Sequence, residues 1–173
     1  MKTMTLNNFF VNPDEVRKLA LSQNYRNRND DEYFEGIRSP MIKNIDIDLY
    51  NNTCHKIFSE YYGKQPSSFN AELFFHQTRN IDKKDTQWLN DKVHSDDGLV
   101  AGIIYLNPNA PVECGTQTYL QIDDKYIPDI KIGNVYNRLI VYPANYWHSA
   151  IELFGDNINN RLVMLFFLYE VKF

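Results

Sequence analysis

From residue 66 onward the chain reads as a succession of short strands with no helix between them. Residues 69–78, 98–106, 115–122, 138–142 and 161–169 are rich in β-branched and aromatic side chains, and Pro, Gly, Asn and Asp turns separate them. In the first segment Phe69, Ala71, Leu73 and Phe75 fall on one face of an extended backbone. Parallel strands need a crossover of a dozen residues or more, usually a helix. No such pattern separates the later segments, so an alternating βαβ fold is excluded.

Helices are confined to the first third. Asn12-Pro13-Asp14-Glu15 reads as a helix start, with Asn12 as cap, Pro13 at the first helical position and Glu15 at capping-box spacing. Val11 and Val16 are spaced for a hydrophobic staple, and the pattern runs to about residue 24. Residues 25–32 are polar and read as a loop. A second helix is predicted over residues 48–62, with Tyr50, Cys54, Ile57, Phe58 and Tyr61 as its buried stripe and Gly63 as its stop. The expected fold is mainly β with N-terminal α-helices, a sheet sandwich or barrel with helices on one face. A single domain, 1–173, is expected, with 1–65 as helical support and 66–173 as the β core.

With 173 residues and 14% aromatics, the chain can bury a sizeable core and is not of disordered composition. The net charge of -4 disfavours nucleic acid and anionic membranes as partners. Residues 1–10 lack the apolar core of a secretion signal, and Leu162–Leu168 is far too short to span a bilayer. Cys54 and Cys114 suffice for neither a disulfide framework nor a cysteine zinc site. A cytoplasmic protein with two reduced thiols is expected.

The residues that carry chemistry are few. His94-Ser95-Asp96 places an imidazole and a carboxylate two residues apart, so an extended backbone presents both to one side. His148 is the candidate third ligand. Two histidines and one carboxylate leave half of an octahedral metal open, the arrangement that suits non-haem Fe(II). Asp97 is a competing carboxylate, but the two-residue spacing favours Asp96. Arg161 opens a very apolar segment, where a buried charge needs a partner and a guanidinium can grip a carboxylate with two hydrogen bonds. An ion pair with Glu152 or Asp156 is the plain alternative. Tyr105 reads as a core tyrosine with its hydroxyl satisfied by a backbone group. His76 and Tyr142 are placed near the pocket, His55 at a helix surface, Trp88 and Trp147 in packing, and residues 80–91 as a candidate flap.

From residue 91 to 167 the chain resembles the iron(II)/2-oxoglutarate-dependent oxygenases, in particular the prolyl-4-hydroxylase-like branch. His94-x-Asp96 resembles the first two iron ligands, and Tyr105-Leu106-Asn107 the strand that follows them. Glu113-Cys114-Gly115-Thr116 is similar to the family's G-G-E-T segment, with Cys114 in place of the first glycine. Leu139-Ile140-Val141-Tyr142-Pro143 resembles the strand before the distal histidine, where His148 stands. Asn160-Arg161-Leu162-Val163-Met164-Leu165-Phe166 resembles the R-x-x-L-x-F strand. The resemblance implies a double-stranded β-helix (a cupin-like jelly roll) with Fe(II) on His94, Asp96 and His148. It further implies 2-oxoglutarate held by Arg161 and Tyr105, and a hydroxylase that consumes O2 and releases succinate and CO2. A non-catalytic jelly-roll module that binds a ligand or partner is the alternative. A cupin-like enzyme with another metal would more often add a further His or Glu ligand, and the neighbourhood of His94 offers no extra His.

Overall fold

The structure, a computed structural model, describes residues 2–27, 36–78, 92–152, 154–155 and 160–173. The candidate flap at 80–91, including Trp88, and Asp156 lie outside the described residues.

Helix α1 spans Pro13–Leu21. Proline is tolerated at its first position because the first-turn amides have no intrahelical acceptor. The expected cap and staple do not form. Asn12 makes no side-chain cap bond and instead turns its amide toward Glu15, and Val11 is 92% exposed. The helix closes at Ser22, short of the expected residue 24, where the Ser22 amide reaches the carbonyls of Lys18 and Leu19.

The longer helix formed as its stripe predicts. A four-residue turn, α2 (Ile42–Ile45), leads into α3 (Ile47–Tyr62). Asp46 caps α3 by accepting the Leu49 amide at 2.9 Å. Gly63 ends it at φ 71°, a left-handed conformation that costs glycine little and other residues more. Tyr50, Cys54, Ile57 and Phe58 are buried, whereas Tyr61, expected in the same stripe, is only half-buried near the helix end.

The strands are β1 (Met4–Leu6), β2 (Arg26–Asn27), β3 (Ile37–Met41), β4 (Ser68–Thr78), β5 (Val100–Tyr105), β6 (Thr116–Ile122), β7 (Lys125–Ile132), β8 (Leu139–Pro143), β9 (Trp147–Ala150) and β10 (Arg161–Lys172). Among the described residues they form two antiparallel sheets. The larger has the order β1-β8-β5-β10-β4-β3-β2 and the smaller β7-β6-β9. This is a double-stranded β-helix with helices against one sheet. The N-terminal 65 residues contribute three strands to the larger sheet as well as the helices.

Alternation along the central strands builds two cores. On one face Leu73 and Phe75 of β4, Ile104 of β5, Val141 of β8, and Met164 and Phe166 of β10 meet Ala20, Ile57 and Phe58 of the helices. The Phe58 ring lies 4.8 Å from Phe69 and 6.4 Å from Phe166, edge-on to both. On the other face Ile103, Tyr105, Ile140, Tyr142 and Val163 point into the space between the sheets. β5, β8 and the first half of β10 are therefore covered on both faces, which is why they read as unbroken apolar runs rather than alternating ones.

Five strands were not expected from the sequence, among them β2 (Arg26–Asn27), which lies in the segment read as a loop and pairs with β3. β7 contains Pro128, which cannot donate to a ladder and so argues against a strand. Here β7 is the outer strand of the smaller sheet, and its register with β6 shifts beside Pro128. β1, β3 and β9 are short and gain their hydrogen bonds only from distant partners.

Candidate metal and cosubstrate site

His94 and His148 meet through their backbones. Each donates its amide to the other's carbonyl, at 3.0 and 2.8 Å, an antiparallel bridge that extends the smaller sheet beyond β9. Paired residues share a face, so both imidazoles point inward, with ring centroids 4.4 Å apart. The Asp96 amide donates to the Ala144 carbonyl at 2.9 Å. That bond keeps the segment extended and puts Asp96 on the side of His94, as the two-residue spacing predicts. His94 Nε2 lies 3.7 Å from one Asp96 oxygen and His148 Nε2 lies 3.3 Å from the other. The three candidate ligand atoms are all within 4.8 Å of one another.

The hydrogen-bond partners decide which nitrogens are available. His94 Nδ1 faces the Lys92 carbonyl at 2.8 Å, and His148 Nδ1 faces the Tyr146 carbonyl at 2.9 Å. A carbonyl can only accept, so each Nδ1 carries the proton and each Nε2 presents a lone pair. Burial, aided by the neighbouring His94, pushes the His148 pKa down to about 3, so its imidazole is neutral. Burial also raises Asp96 above the ordinary carboxylate range, against the opposing charges of His94 and Arg38. Two lone pairs and a carboxylate converge with no donor between them. That donor set fits a divalent cation, whose charge would return Asp96 to its ionised form.

The triad opens into a cavity of about 420 Å³, within the usual range for small ligands. Arg161 lines this cavity and is 4% exposed. Among the described residues no acidic side chain pairs with it. Glu152 is exposed and forms no bridge to it. The Arg161 guanidinium lies 5.6 Å from the centre of the Tyr105 ring, and its Nε is buried without a hydrogen-bond partner. Thr78, which pairs with Arg161 in register, likewise has a buried hydroxyl without a partner. The Tyr105 hydroxyl is 2.8 Å from Thr116 Oγ1, and burial holds its pKa above the ordinary value against the charge of Arg161. A cation, an unsatisfied Nε and a free hydroxyl in a buried recess are the groups a carboxylate would satisfy.

Arg161 is held in place by Asn107. The Asn107 side chain accepts the Leu162 amide at 2.6 Å and donates to the Asn160 carbonyl at 3.0 Å. These bonds clamp the backbone on either side of Arg161. The sequence shows Asn107 only as the end of the Tyr-Leu-Asn string; its partners become visible when β5 and β10 are paired.

Other expectations fall into place around this site. His76 and Tyr142 both line the cavity, Asp97 is exposed at its rim, and Trp147 is half-buried on the smaller sheet. His55 is exposed and bonds Gln65. Cys54 and Cys114 are buried free thiols. Gly115 is fixed by a close approach, since a Cβ there would clash with the Ile132 carbonyl oxygen. Arg38 was not singled out from the sequence, although it too lines the cavity.

Several solved structures share this architecture. A non-haem α-ketoglutarate-dependent epimerase, SnoN from nogalamycin biosynthesis, aligns at a TM-score of 0.57 and 12% identity, over 95% of this chain and 76% of its own. HygX from Streptomyces hygroscopicus, solved with nickel, 2-oxoglutarate and hygromycin B, aligns at 0.57 and 10%, over 95% and 81%. A Trichoplax adhaerens prolyl hydroxylase, solved with a hypoxia-inducible-factor peptide, aligns at 0.52 and 13%, over 96% and 83%. The fold is that of the iron/2-oxoglutarate oxygenases. No family model matches the sequence, and no curated protein matches it. Among the described residues no helix is long and apolar enough to cross a membrane.

Proposed function

We propose that this protein is an Fe(II)- and 2-oxoglutarate-dependent dioxygenase that hydroxylates an unactivated C–H bond of a peptide side chain or small metabolite. The observation that carries this reading is one cavity holding both the His94, Asp96 and His148 convergence and the buried Arg161. His94 Nε2, His148 Nε2 and an Asp96 oxygen are the proposed iron ligands. Arg161 is the proposed anchor for the distal carboxylate of 2-oxoglutarate, with the Thr78 hydroxyl beside it and Tyr105 lining the same recess. When bound, iron and 2-oxoglutarate supply the oxidising power of O2, with succinate and CO2 as coproducts. The Lys92 and Tyr146 carbonyls fix the tautomers that leave both Nε2 lone pairs available, so these nitrogens would hold the metal. Ile103, Tyr142 and Leu165 wall the cavity and limit the access of water.

Anaerobic titration with Fe(II) and then 2-oxoglutarate tests the reading. The wild type is expected to develop a visible metal-to-ligand charge-transfer band. His94→Ala is expected to lose it through loss of the metal. Arg161→Ala is expected to keep the metal and to need far more 2-oxoglutarate. Equal 2-oxoglutarate affinity in wild type and Arg161→Ala would refute the anchor. Admission of O2 should then release succinate from the wild type, and its absence would favour a non-catalytic binding module.

A further inference from the structure

One buried hydroxyl in the cavity has no part in the proposed reaction as described so far. Tyr142 is on β8 and pairs in register with Ala101 of β5. It therefore stands on the cavity face of the larger sheet, the face that also carries Ile103 and Tyr105. The chain that follows Tyr142 is tied to the metal ligands. The Ala144 carbonyl accepts the Asp96 amide, and the Tyr146 carbonyl faces His148 Nδ1. The Tyr142 ring centre lies 4.7 Å from that of His148, and the residue is 1% exposed. Its place beside the triad is thus set by backbone bonds on the same strand and turn.

The polar end of this side chain faces space rather than a partner. Tyr142 lines the cavity, and its hydroxyl makes no hydrogen bond to another described residue. The Tyr105 hydroxyl, by contrast, meets Thr116 at 2.8 Å. Burial, and then the charge of Asp96, holds the Tyr142 hydroxyl well above the ordinary tyrosine value, against the opposing charge of Arg161. The group is therefore a neutral donor that feels both ends of the site. A buried donor is costly without an acceptor, and a charged acceptor makes the strongest bond to it.

The register shows which end of the site it serves. Ala101, Ile103 and Tyr105 alternate along the cavity face of β5. Tyr142 flanks the first of them and Val163 the last, and Arg161 lies two residues beyond Val163 on β10. Tyr142 is thus at the triad end of the cavity floor, and Tyr105 and Arg161 are at the other. In the proposed complex the distal carboxylate of 2-oxoglutarate is at Arg161, which leaves its 2-oxo acid end at the metal. The carboxylate of Asp96 is also close, but its two oxygens face the imidazoles of His94 and His148, at 3.7 and 3.3 Å.

We infer that Tyr142 is a second cosubstrate-binding residue, whose hydroxyl donates a hydrogen bond to the metal-end carboxylate of 2-oxoglutarate. This inference rests on the proposed function. It divides the recognition of one small dianion between two groups, Arg161 for the distal carboxylate and Tyr142 for the other.

The test compares wild type, Tyr142→Phe, Arg161→Ala and the double variant. Fe(II) is titrated first and 2-oxoglutarate second, both without oxygen, and binding of the second is read from the visible charge-transfer band. Tyr142→Phe is expected to bind Fe(II) as the wild type does and to need about tenfold more 2-oxoglutarate. Its band should move to shorter wavelength, because loss of the donor raises the acceptor orbital of the bound 2-oxo acid. In the Arg161→Ala background Tyr142→Phe should cost the same factor again, since the two groups act on different ends. The melting temperature of the metal-free protein should not fall, because the hydroxyl gives up no partner within the protein.

Equal 2-oxoglutarate affinity in wild type and Tyr142→Phe overturns the inference. So does a loss that vanishes in the Arg161→Ala background, which would place the hydroxyl on the distal carboxylate. Weakened Fe(II) binding or a lowered melting temperature in Tyr142→Phe also overturns it, by making the hydroxyl a partner of Asp96. Failure of the wild type itself to bind Fe(II) or 2-oxoglutarate overturns the proposed function, and this inference with it.

Discussion

Replacing Asn107 by alanine removes both backbone bonds that bracket Arg161. Each is worth about 1 kcal/mol net, and each leaves a buried backbone group unpaired at a cost of about 1–3 kcal/mol. The Leu162 amide at 2.6 Å is the stronger partner and the Asn160 carbonyl at 3.0 Å the weaker. A loss of about 2–4 kcal/mol is expected, which for a chain of this size lowers the melting temperature by roughly 4–16 °C. The Arg161 backbone then loses its register against Asn107, and a displacement of a fraction of an ångström weakens a two-bond grip on a carboxylate. The expected result is a rise of about tenfold, or 1.4 kcal/mol, in the dissociation constant for 2-oxoglutarate. Metal affinity should be unchanged, because Asn107 bonds none of the three ligands. Anaerobic titrations of Fe(II) and 2-oxoglutarate, run well below the melting temperature, separate the two effects. Asn107→Asp retains the acceptor for Leu162 and should fall between wild type and alanine. In an Arg161→Ala background, Asn107→Ala should weaken 2-oxoglutarate binding no further. Parallel losses of metal and 2-oxoglutarate affinity, or the same loss in both backgrounds, would refute a positioning role.

Three other outcomes are expected. Gly115→Ala should destabilise the protein strongly, because its Cβ would clash with the Ile132 carbonyl oxygen; an unchanged melting temperature would contradict the close approach of these strands. Phe58→Ala should cost about 3–5 kcal/mol by opening a void between α3 and the larger sheet, measurable by urea unfolding, and a loss below about 1 kcal/mol would contradict that packing. The third concerns acid. Burial first, and then His94, hold His148 at about 3 in the folded state, below its unfolded value of about 6.5. The unfolded chain therefore binds the extra proton, so this contribution is complete above about pH 6.5 and is lost as the pH falls toward 3. Metal-free wild type should lose stability between pH 7 and 5 more steeply than His148→Gln, by up to about 1.4 kcal/mol per pH unit below pH 6.5. Equal slopes in urea-unfolding series would contradict a buried neutral imidazole.

The parts of the molecule legible in the sequence are those specified by local chemistry. α3 carries its apolar stripe, its Asp46 cap and its Gly63 stop within one stretch of chain. β4, β5, β8 and β10 announce themselves by composition because they are buried on one or both faces. His94 and Asp96 could be paired because two residues of extended backbone fix their relative direction. What was illegible depends on distant partners. β7 tolerates Pro128 only because it is an edge, and β9 exists only because β6 and His94 flank it. Asn12 has a capping residue's identity but does not cap, because its side chain turns toward Glu15 rather than to the helix amides. Asn107 gave no local signal, because it matters through bonds to a strand more than fifty residues away.

Anomalous diffraction at the iron edge, from crystals loaded anaerobically with Fe(II), puts the central convergence to its most direct test. One peak is predicted, about 2 Å from His94 Nε2, His148 Nε2 and an Asp96 oxygen, inside the cavity that holds Arg161. A peak elsewhere on the molecule, or none at these side chains under saturating iron, would contradict the account.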